Sequence, residues 1–368
     1  PAPPPACPCV GGPPTPKLPA PALCRRRSLF PLSPDLSRRE KEKARLAAGA
    51  GRPHAPPVGG NFEFPAPPIS GGSAGYAAAR TLAAGGRRVA VIEGAEEAGG
   101  LCILRGCMPT KALLWAAEVK HLAGKSATWG LRPEPLPFHF PAVMARKDAL
   151  IADFAGHRRG QLADGRFEFL RSPARFLDPH TLVLADGRTL RAGHFVIATG
   201  SVGAEPPLPA LREAGCLTSD DCVRLETLPR SLVILGGGAI ACEFAQFFAR
   251  FGVAVTLVQR SPRLLRGFDA DAARVVETVF RREGLRVFTG TRLLDARRTS
   301  AGRAVLFEHE GRVQTVEAEA ILHALGRTPN TRPLNLAAAG VATDGDRIVT
   351  DAAQRTSAPH IYAAGDCC

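Results

Sequence analysis

Two cysteines between residues 99 and 111 have a spacing that could support redox chemistry. Cys102 and Cys107 are five positions apart, glycines precede both, and Pro109 lies at the start of an apolar helical run. A C-x4-C loop that enters a helix can close into a small disulfide ring, and the positive end of the helix favours a thiolate on the second sulfur. Arg105, between the cysteines, would favour the same ionised form. The alternative is two ordinary buried cysteines, but the flanking glycines and the proline favour a redox pair.

The elements that would position this pair begin with a glycine-rich turn at residues 70–75. An Ala- and Leu-rich helical stretch follows, and then an apolar strand that ends in Glu93, 23 residues after Ser70. In such a unit the glycines, here Gly72 and Gly75, let the backbone approach a pyrophosphate, and the terminal acid bonds a ribose hydroxyl. Ser70 stands where the G-x-G-x-x-G pattern has its first glycine.

A second unit of the same length starts with the apolar strand 231–235. Gly236 and Gly238 follow in a glycine turn, and a helix leads to the strand 253–259, which ends in Gln259, again 23 residues after the first glycine. One glycine turn alone could belong to any α/β sheet, but an internal repeat of two equal units predicts two dinucleotide sites.

The second unit ends in Gln259 and Arg260 rather than in an acid, and Arg263 follows. An acid at this position would repel a 2′-phosphate, whereas arginines attract it. The sequence therefore favours NADPH over NADH. NADH remains the alternative, because both arginines could also be solvated loop charges.

Three further motifs complete the pattern: the strand 195–201 with Thr199 and Gly200, the segment 321–330 with Gly326, and the segment 361–366 that ends in Asp366. In this order, the motifs resemble the class I pyridine nucleotide-disulfide oxidoreductases, which include dihydrolipoamide dehydrogenase, glutathione reductase and mercuric reductase. The resemblance covers residues 69–368. It departs from the family at Leu101, where Thr is usual, and at Leu104-Arg105, where Asn-Val is usual.

The resemblance implies an FAD site in the first unit and an NAD(P) site in the second. Electrons would pass from NADPH through the flavin to a Cys102–Cys107 disulfide, with Cys107 facing the flavin and Cys102 attacking a small-molecule disulfide, thiol or mercuric-type substrate. Lys111 would pair with Glu243 beside the flavin. The neighbours of Glu243 favour a buried carboxylate over one on the helix surface. Residues implied to contact the cofactors are Gly72, Gly75, Glu93, Gly100, Lys111, Thr199, Gly200, Gly236, Gly238, Gln259, Arg260, Gly326 and Asp366.

The expected fold is α/β, with two Rossmann-like dinucleotide-binding domains. We assign residues 69–201 to the first part of the FAD domain, 202–326 to the NAD(P) domain, and 327–368 to a return segment of the FAD domain. Members of the family carry a C-terminal dimerisation domain with a His-Glu pair, and no residues follow Cys368 to supply it. We therefore expect a C-terminally truncated member whose full-length form is a homodimer.

Residues 1–60 are rich in Pro, Ala, Gly and Arg without apolar periodicity, so we expect disorder there. Prolines crowd residues 62–69, where the fold needs a central strand, and proline cannot donate to a sheet ladder. We interpret residues 1–68 as foreign to the enzyme. No metal site is predicted, because Cys7 and Cys9 have no second pair at ligand spacing.

The net charge of +13 does not point to nucleic acid, because residues 1–60 hold ten of the basic residues against three acids and the rest forms no basic stripe. No membrane span is predicted, since no run of about 18 apolar residues occurs. Ten cysteines without a secretory signal favour a reducing cytoplasm over a disulfide framework. Two alternatives to the disulfide reductase remain: a flavin NAD(P)H oxidase or transhydrogenase that uses no disulfide, and an inactive truncated flavoprotein fragment.

Overall fold

The computed structural model describes residues 62–64, 68–132 and 137–368. The predicted disorder of residues 1–60 lies outside the described residues, as does most of the segment interpreted as foreign. The helices, in chain order, are α1 (Ser73–Ala84), α2 (Gly100–Leu104), α3 (Cys107–Gly124), α4 (Phe140–Leu162), α5 (Pro209–Ala214), α6 (Ser219–Cys222), α7 (Ala239–Arg250) and α8 (Ala270–Arg282).

The strands, in chain order, are β1 (Phe62–Phe64), β2 (Pro68–Ile69), β3 (Ala90–Glu93), β4 (Glu168–Arg171), β5 (Ala174–Asp178), β6 (Thr181–Leu184), β7 (Thr189–Ala192), β8 (Phe195–Ile197), β9 (Ser201–Gly203), β10 (Ser231–Leu235), β11 (Ala254–Val258), β12 (Arg286–Phe288), β13 (Arg292–Thr299), β14 (Gly302–His309), β15 (Arg312–Ala318), β16 (Ala320–His323), β17 (Arg327–Pro329), β18 (Thr343–Asp344), β19 (Arg347–Ile348) and β20 (Ile361–Ala363).

The first sheet has five parallel strands in the order β20-β8-β2-β3-β4. Strand β2 is central, because Ile69 pairs with Ile92 of β3 on one side and with Ile197 of β8 on the other. It is only two residues long, and its first residue, Pro68, has no N–H to donate. The foreign origin of residues 1–68 stays a prediction.

The second sheet has four parallel strands in the order β12-β11-β10-β16. Strands β10, β11 and β16 are apolar along most of their length because helices and the neighbouring sheet cover both faces. The antiparallel sheet β13-β14-β15 is inserted between β12 and β16. The two parallel sheets, each with a glycine turn and a helix after one strand, confirm the predicted α/β fold with two Rossmann-like units.

Strands β9 and β17 form an antiparallel ribbon where the chain leaves and re-enters the first unit. Residue 201, the first predicted boundary, is the first residue of β9, and residue 326, the second, directly precedes β17. The domain division itself stays a prediction. On the far side of the first unit, β5, β6 and β7 form a small sheet to which β1 adds in parallel. This peripheral sheet carries none of the predicted site residues.

Helix α3, which begins at Cys107, packs along α7 of the second unit. The core between them is aromatic, since Phe244, Phe247 and Phe248 of α7 are fully buried. The sequence predicted helices interrupted by the proline-rich residues 133–141, and α4 begins at Phe140 with a proline in its first turn, where the missing N–H is tolerated. This contact joins the helix that follows the cysteine loop to the helix that follows the second glycine turn.

Candidate active site

The first glycine turn leads into α1 with Gly72 at the N-cap and no side chain capping the helix. The free N–H groups of the first turn of α1 are therefore available to an anion such as a pyrophosphate. Ser70 adopts φ +129°, which a side chain disfavours, and its Oγ accepts a hydrogen bond of 3.1 Å from Gly72 N. The serine at the first glycine position is thus strained, and this bond offsets part of the strain.

Glu93 ends β3 beneath this turn, and it is only 6% exposed. Its Oε2 accepts a hydrogen bond of 2.9 Å from Gly71 N, and its Oε1 accepts one of 2.9 Å from Ala95 N. The carboxylate therefore holds the glycine turn against the strand end. Its predicted contact with a ribose stays a prediction.

The cysteine loop lies directly on the glycine turn. A Cβ on Gly100, whose φ is +74°, would lie 2.5 Å from Cα of Gly72, so the two backbones meet at a distance that only glycine permits. Cys102 lies on α2, half-buried, and Cys107 is the first residue of α3 and is exposed. The glycine contact fixes the cysteines beside the N-terminus of α1.

Neither thiol is in a disulfide, and Cys107 lies close enough to Cys102 to affect the ionisation of its thiol. Burial, together with the hydrogen bond and charge of Cys107, raises the pKa of the Cys102 thiol, while a hydrogen bond with Ser73 lowers it. Two neighbouring thiols at a helix N-terminus can interconvert between a dithiol and a disulfide when their sulfurs meet. The redox role of Cys102 and Cys107 stays a prediction.

Arg105, which the sequence places between the cysteines, turns away from them. Its Nε lies 3.5 Å from Oδ2 of Asp220 at the start of the second unit, so its charge is compensated there. The expectation that it favours a thiolate has no support from its position.

One turn further along α3, Nζ of Lys111 lies 2.5 Å from Oε1 of Glu243 on α7. The lysine side chain is 59% exposed and the carboxylate 28% exposed. Glu243 is therefore half-buried, between the buried carboxylate and the exposed one that the sequence offered as alternatives.

Two later segments of the predicted site meet through Ser201 and Asp366. Oγ1 of Thr199 is buried without a hydrogen-bond partner, and Gly200 follows it with φ +68°. Ser201 Oγ donates to Asp366 Oδ2 at 2.7 Å, and Arg327 Nε donates to Ser201 Oγ at 2.7 Å. Asp366 is exposed at the mouth of the site, and the sequence did not foresee that Arg327 and Ser201 anchor it.

The second glycine turn lies at the carboxyl end of β10. Gly236 has φ +116°, and a Cβ there would lie 2.3 Å from the carbonyl oxygen of Ala324, so the turn packs on the segment that contains Gly326. Gly238 is the N-cap of α7, again without a side-chain cap. A cavity of about 530 Å³ opens at this point, and Gly238, Ile240 and Gly326 line it. Its position and size suit a nucleotide.

The side chain of Gln259, at the end of β11, packs against Gly237 of the turn. Arg260 is exposed and makes no ion pair within the described part of the chain. Arg263 donates to the carbonyl oxygens of Phe268 at 3.1 Å and Arg266 at 2.9 Å, so it shapes its own loop. Of the two arginines that the sequence offered to a 2′-phosphate, only Arg260 is free.

Among the described residues, no helix is long and apolar enough to cross a membrane. The same part of the chain contains no group of three or more His, Cys, Asp or Glu side chains with metal-binding geometry.

The model of the family described as pyridine nucleotide-disulphide oxidoreductase matches residues 69–368. The mercuric reductase of Streptomyces lividans is 37% identical over 306 residues, which cover 81% of this chain and 64% of that protein. The mercuric reductase of Staphylococcus aureus is 33% identical over 300 residues, which cover 81% of this chain and 54% of that protein. The dihydrolipoyl dehydrogenase of Thermus scotoductus is 36% identical over 304 residues, which cover 81% of this chain and 65% of that protein.

Among solved structures, the HOCl-induced flavoprotein disulfide reductase RclA from Escherichia coli matches with a TM-score of 0.72 at 30% sequence identity. The match covers 83% of this chain and 66% of that chain. The chain therefore spans about half to two thirds of the length of the relatives it matches.

Proposed function

We propose that this chain, which belongs to the pyridine nucleotide-disulphide oxidoreductase family, passes electrons between NAD(P)H and a disulfide or mercuric-type substrate through FAD and the Cys102–Cys107 pair. The observation that carries the proposal is the position of Cys102 on α2 and of Cys107 at the N-terminus of α3, with Gly100 of the same loop packed on Gly72 of the first glycine turn. Both substrate classes stay open, since relatives are named as mercuric reductases and as dihydrolipoyl dehydrogenases.

The first unit fits an FAD. The uncapped N-terminus of α1 suits its pyrophosphate, and the buried, unpartnered Oγ1 of Thr199 lies in a segment where the resemblance implies a flavin contact. Asp366 and Glu93 would hold its hydroxyl groups, as the resemblance implies. When bound, the flavin would take two electrons as a hydride from the nicotinamide and deliver them to the disulfide.

The residues of the chain then have distinct roles. Cys107, exposed at the start of α3, would face the flavin, and Cys102 would be the thiol that attacks the substrate. Reduction of the disulfide yields two thiols, and oxidation by a disulfide substrate returns them to the bridge with release of two substrate thiols. Lys111, held by Glu243, would supply a positive charge at the flavin ring.

The test is a thiol titration of the purified flavoprotein before and after anaerobic reduction with NADPH. The proposal expects two additional titratable thiols per flavin, and none in a Cys102→Ser variant. A yellow protein that oxidises NADPH without new thiols would instead be an oxidase or transhydrogenase. A protein that does not retain flavin would be an inactive fragment.

The second unit would bind the nicotinamide nucleotide, with its pyrophosphate at Gly238 and its 2′-phosphate at Arg260. NADPH is therefore the proposed donor, and its support is Arg260, which is exposed and makes no ion pair with the described residues. We also propose that the chain divides into an FAD domain and an NAD(P) domain at the ribbon of β9 and β17. We propose a homodimeric assembly and a cytoplasmic location, with small molecules rather than nucleic acid as substrates.

A further inference from the structure

A charged contact that none of the roles above uses joins the cysteine loop to the second unit. Arg105 lies between Cys102 and Cys107. Its N–H and that of the next residue, Gly106, both donate to the carbonyl oxygen of Leu101, at 2.9 and 2.7 Å. These bonds close the last turn of α2, the helix that carries Cys102. Arg105 is therefore held on the backbone that a Cys102–Cys107 bridge would close into a ring, so that opening or closing the bridge acts on its position.

The side chain of Arg105 reaches Asp220 on α6. Its Nε lies 3.5 Å from Oδ2 of Asp220, and the two side chains are 43% and 34% exposed. The other carboxylate oxygen of Asp220, Oδ1, accepts a hydrogen bond of 3.4 Å from the hydroxyl group of Ser219. One carboxylate thus contacts the arginine of the cysteine loop through one oxygen and Ser219 through the other.

Ser219 belongs to the wall of the cavity at the second glycine turn. Thr218 and Ser219 line this cavity together with Gly238, the N-cap of α7. It is the cavity in which the proposed nicotinamide nucleotide would lie. A path of two side-chain contacts, from Arg105 to Asp220 and from Asp220 to Ser219, therefore leads from the cysteine loop to the wall of the nucleotide cavity.

Helix α6 can transmit a displacement because it is short and internally bonded. Oγ1 of Thr218 accepts a bond of 3.3 Å from Asp221 N, and Oδ2 of Asp221 accepts one of 2.7 Å from Thr218 N, which together form a capping box. Just beyond α6, the carbonyl oxygen of Val223 accepts a bond of 2.6 Å from Nζ of Lys147, whose side chain is 5% exposed. The far end of α6 is thus anchored to α4, and a shift of Arg105 acts on the end that lines the cavity.

We propose that Arg105 and Asp220 couple the redox state of the cysteine pair to the affinity of the cavity for the nicotinamide nucleotide. This role rests on the proposed function, since it requires both the redox pair and the nucleotide site, and it adds a link between them. The ion pair is formed here with both thiols free. The dithiol state is therefore the one that holds Ser219 at the cavity wall, and it should bind the nucleotide more tightly than the disulfide state. Both residues are positioning residues, because they act through Ser219.

Thermodynamic linkage gives the sign of a second effect. A nucleotide that binds the dithiol state more tightly also stabilises it, so the bound nucleotide favours reduction of the bridge, which takes up two electrons and two protons and yields two thiols. A half-exposed ion pair is a weak contact, and its loss changes an equilibrium about twofold to fivefold. For a two-electron couple, this ratio corresponds to a rise of about 9–21 mV in the midpoint potential of the pair.

The experiment measures, by calorimetry, the affinity of the holoprotein for ADP-ribose 2′-phosphate in both redox states. This probe has no nicotinamide, so it binds without accepting a hydride, and ADP-ribose is titrated in parallel in case the protein prefers NADH. The disulfide state is prepared with diamide and the dithiol state with tris(carboxyethyl)phosphine. Each reagent is then removed, and a thiol count verifies the state. A Cys102→Ser/Cys107→Ser protein treated in the same way controls for Cys216, which also lines the cavity.

We expect the dithiol state to bind the probe about twofold to fivefold more tightly than the disulfide state. Arg105→Val and Asp220→Asn should each bring the ratio of the two dissociation constants to about one, and the double variant should go no further. Arg105→Lys, which keeps the charge, should retain part of the ratio. The matched control is Arg230→Val, because Arg230 Nε lies 3.4 Å from Oε2 of Glu319 in a comparable surface pair outside the described lining of the cavity. It should leave the ratio unchanged.

A ratio of one or less in the parent protein would overturn the inference, and so would a ratio that Arg105→Val leaves unchanged. Failure of the proposed function gives different results. If the thiol count is the same after both treatments, Cys102 and Cys107 form no bridge, and if neither probe binds, the cavity is not the nucleotide site. In either case the coupling fails together with the function. A ratio of one in a protein that forms the bridge and binds the probe refutes the coupling alone.

Discussion

Removal of Arg250 should destabilise the contact between α3, which begins at Cys107, and the second unit. Arg250 ends α7, and its side chain is 9% exposed. Its Nε and Nη2 donate to the two carboxylate oxygens of Glu283 at 3.1 and 3.0 Å, and its Nη1 donates to Glu118 of α3. One guanidinium thus joins α3, α7 and the end of α8. We consider the variant Arg250→Met, which keeps the apolar stem and removes the charge.

The loss in unfolding free energy on Arg250→Met is set mainly by Glu283, whose buried carboxylate loses its partner. Glu283 is 11% exposed, and removing one partner of a buried pair costs about 3–5 kcal/mol because an uncompensated charge stays buried. Glu118 is more exposed and adds little, so we expect about 3 kcal/mol at pH 7.

The loss should also depend on pH. Burial alone would raise the pKa of Glu283, but the hydrogen bonds and charge of Arg250 lower it. In the parent protein this carboxylate stabilises the fold above its unfolded pKa of about 4.3 and ceases to do so as the pH falls through the lower folded pKa. Without Arg250, burial is opposed only by the charges of His121 and Lys125, so the folded pKa of Glu283 rises. On acidification, the difference in unfolding free energy between the parent protein and Arg250→Met should therefore shrink by up to about 1.4 kcal/mol per pH unit.

Urea unfolding followed by circular dichroism measures both effects. Arg281→Met is the control, because it removes an exposed i,i+4 pair with Glu277 and should cost less than about 0.5 kcal/mol. The double variant Arg250→Met/Glu283→Leu should recover most of the stability, since an apolar pair replaces the buried ions. A loss that does not change between pH 7 and pH 4, or a double variant no more stable than the single one, would refute the reasoning.

Three further outcomes test the cofactor sites. Thr199→Val removes a buried hydroxyl without a partner, so the unfolding free energy of the flavin-free protein should rise by up to about 1 kcal/mol. Flavin retention, measured by absorbance, should fall, and a variant that keeps its flavin would contradict the assignment. Gly100→Ala should abolish flavin retention. Gly86 has nearly the same backbone angle (φ +76°, against +74° for Gly100) but open space around it, so Gly86→Ala should retain flavin and lose only about 1–2 kcal/mol of stability in a thermal melt. Equal behaviour of the two variants would show that the close approach of Gly100 to Gly72 is unimportant. Arg260→Gln should lower the NADPH-to-NADH ratio of kcat/KM about tenfold, and an unchanged ratio would remove the support for NADPH.

The buried strands and the glycine turns were predictable because their signals are local. The predicted strand 231–235 is observed as Ser231–Leu235, and the predicted strand 253–259 as Ala254–Val258. Parallel strands covered on both faces are continuous apolar runs in the sequence, which makes them easy to recognise. The order of the motifs was sufficient to identify the family.

The charged contacts were harder to predict. Lys111 and Glu243 are 132 residues apart, and only the resemblance suggested that they meet. Arg263 was predicted to attract a phosphate, but its guanidinium binds backbone carbonyl groups of its own loop. The path of the loop sets the positions of these carbonyl groups, and that path cannot be read from the sequence.

The ribbon of β9 and β17 has a consequence for how the molecule is made. The nucleotide-binding unit is an insertion, held at both of its ends by this one ribbon, and the last strand of the first sheet, β20, is synthesised only after the whole insertion. During synthesis on the ribosome, the first sheet therefore lacks its edge strand at a stage when all strands of the second unit have already been made. A single cut in either crossing strand would leave the two units covalently joined through the other.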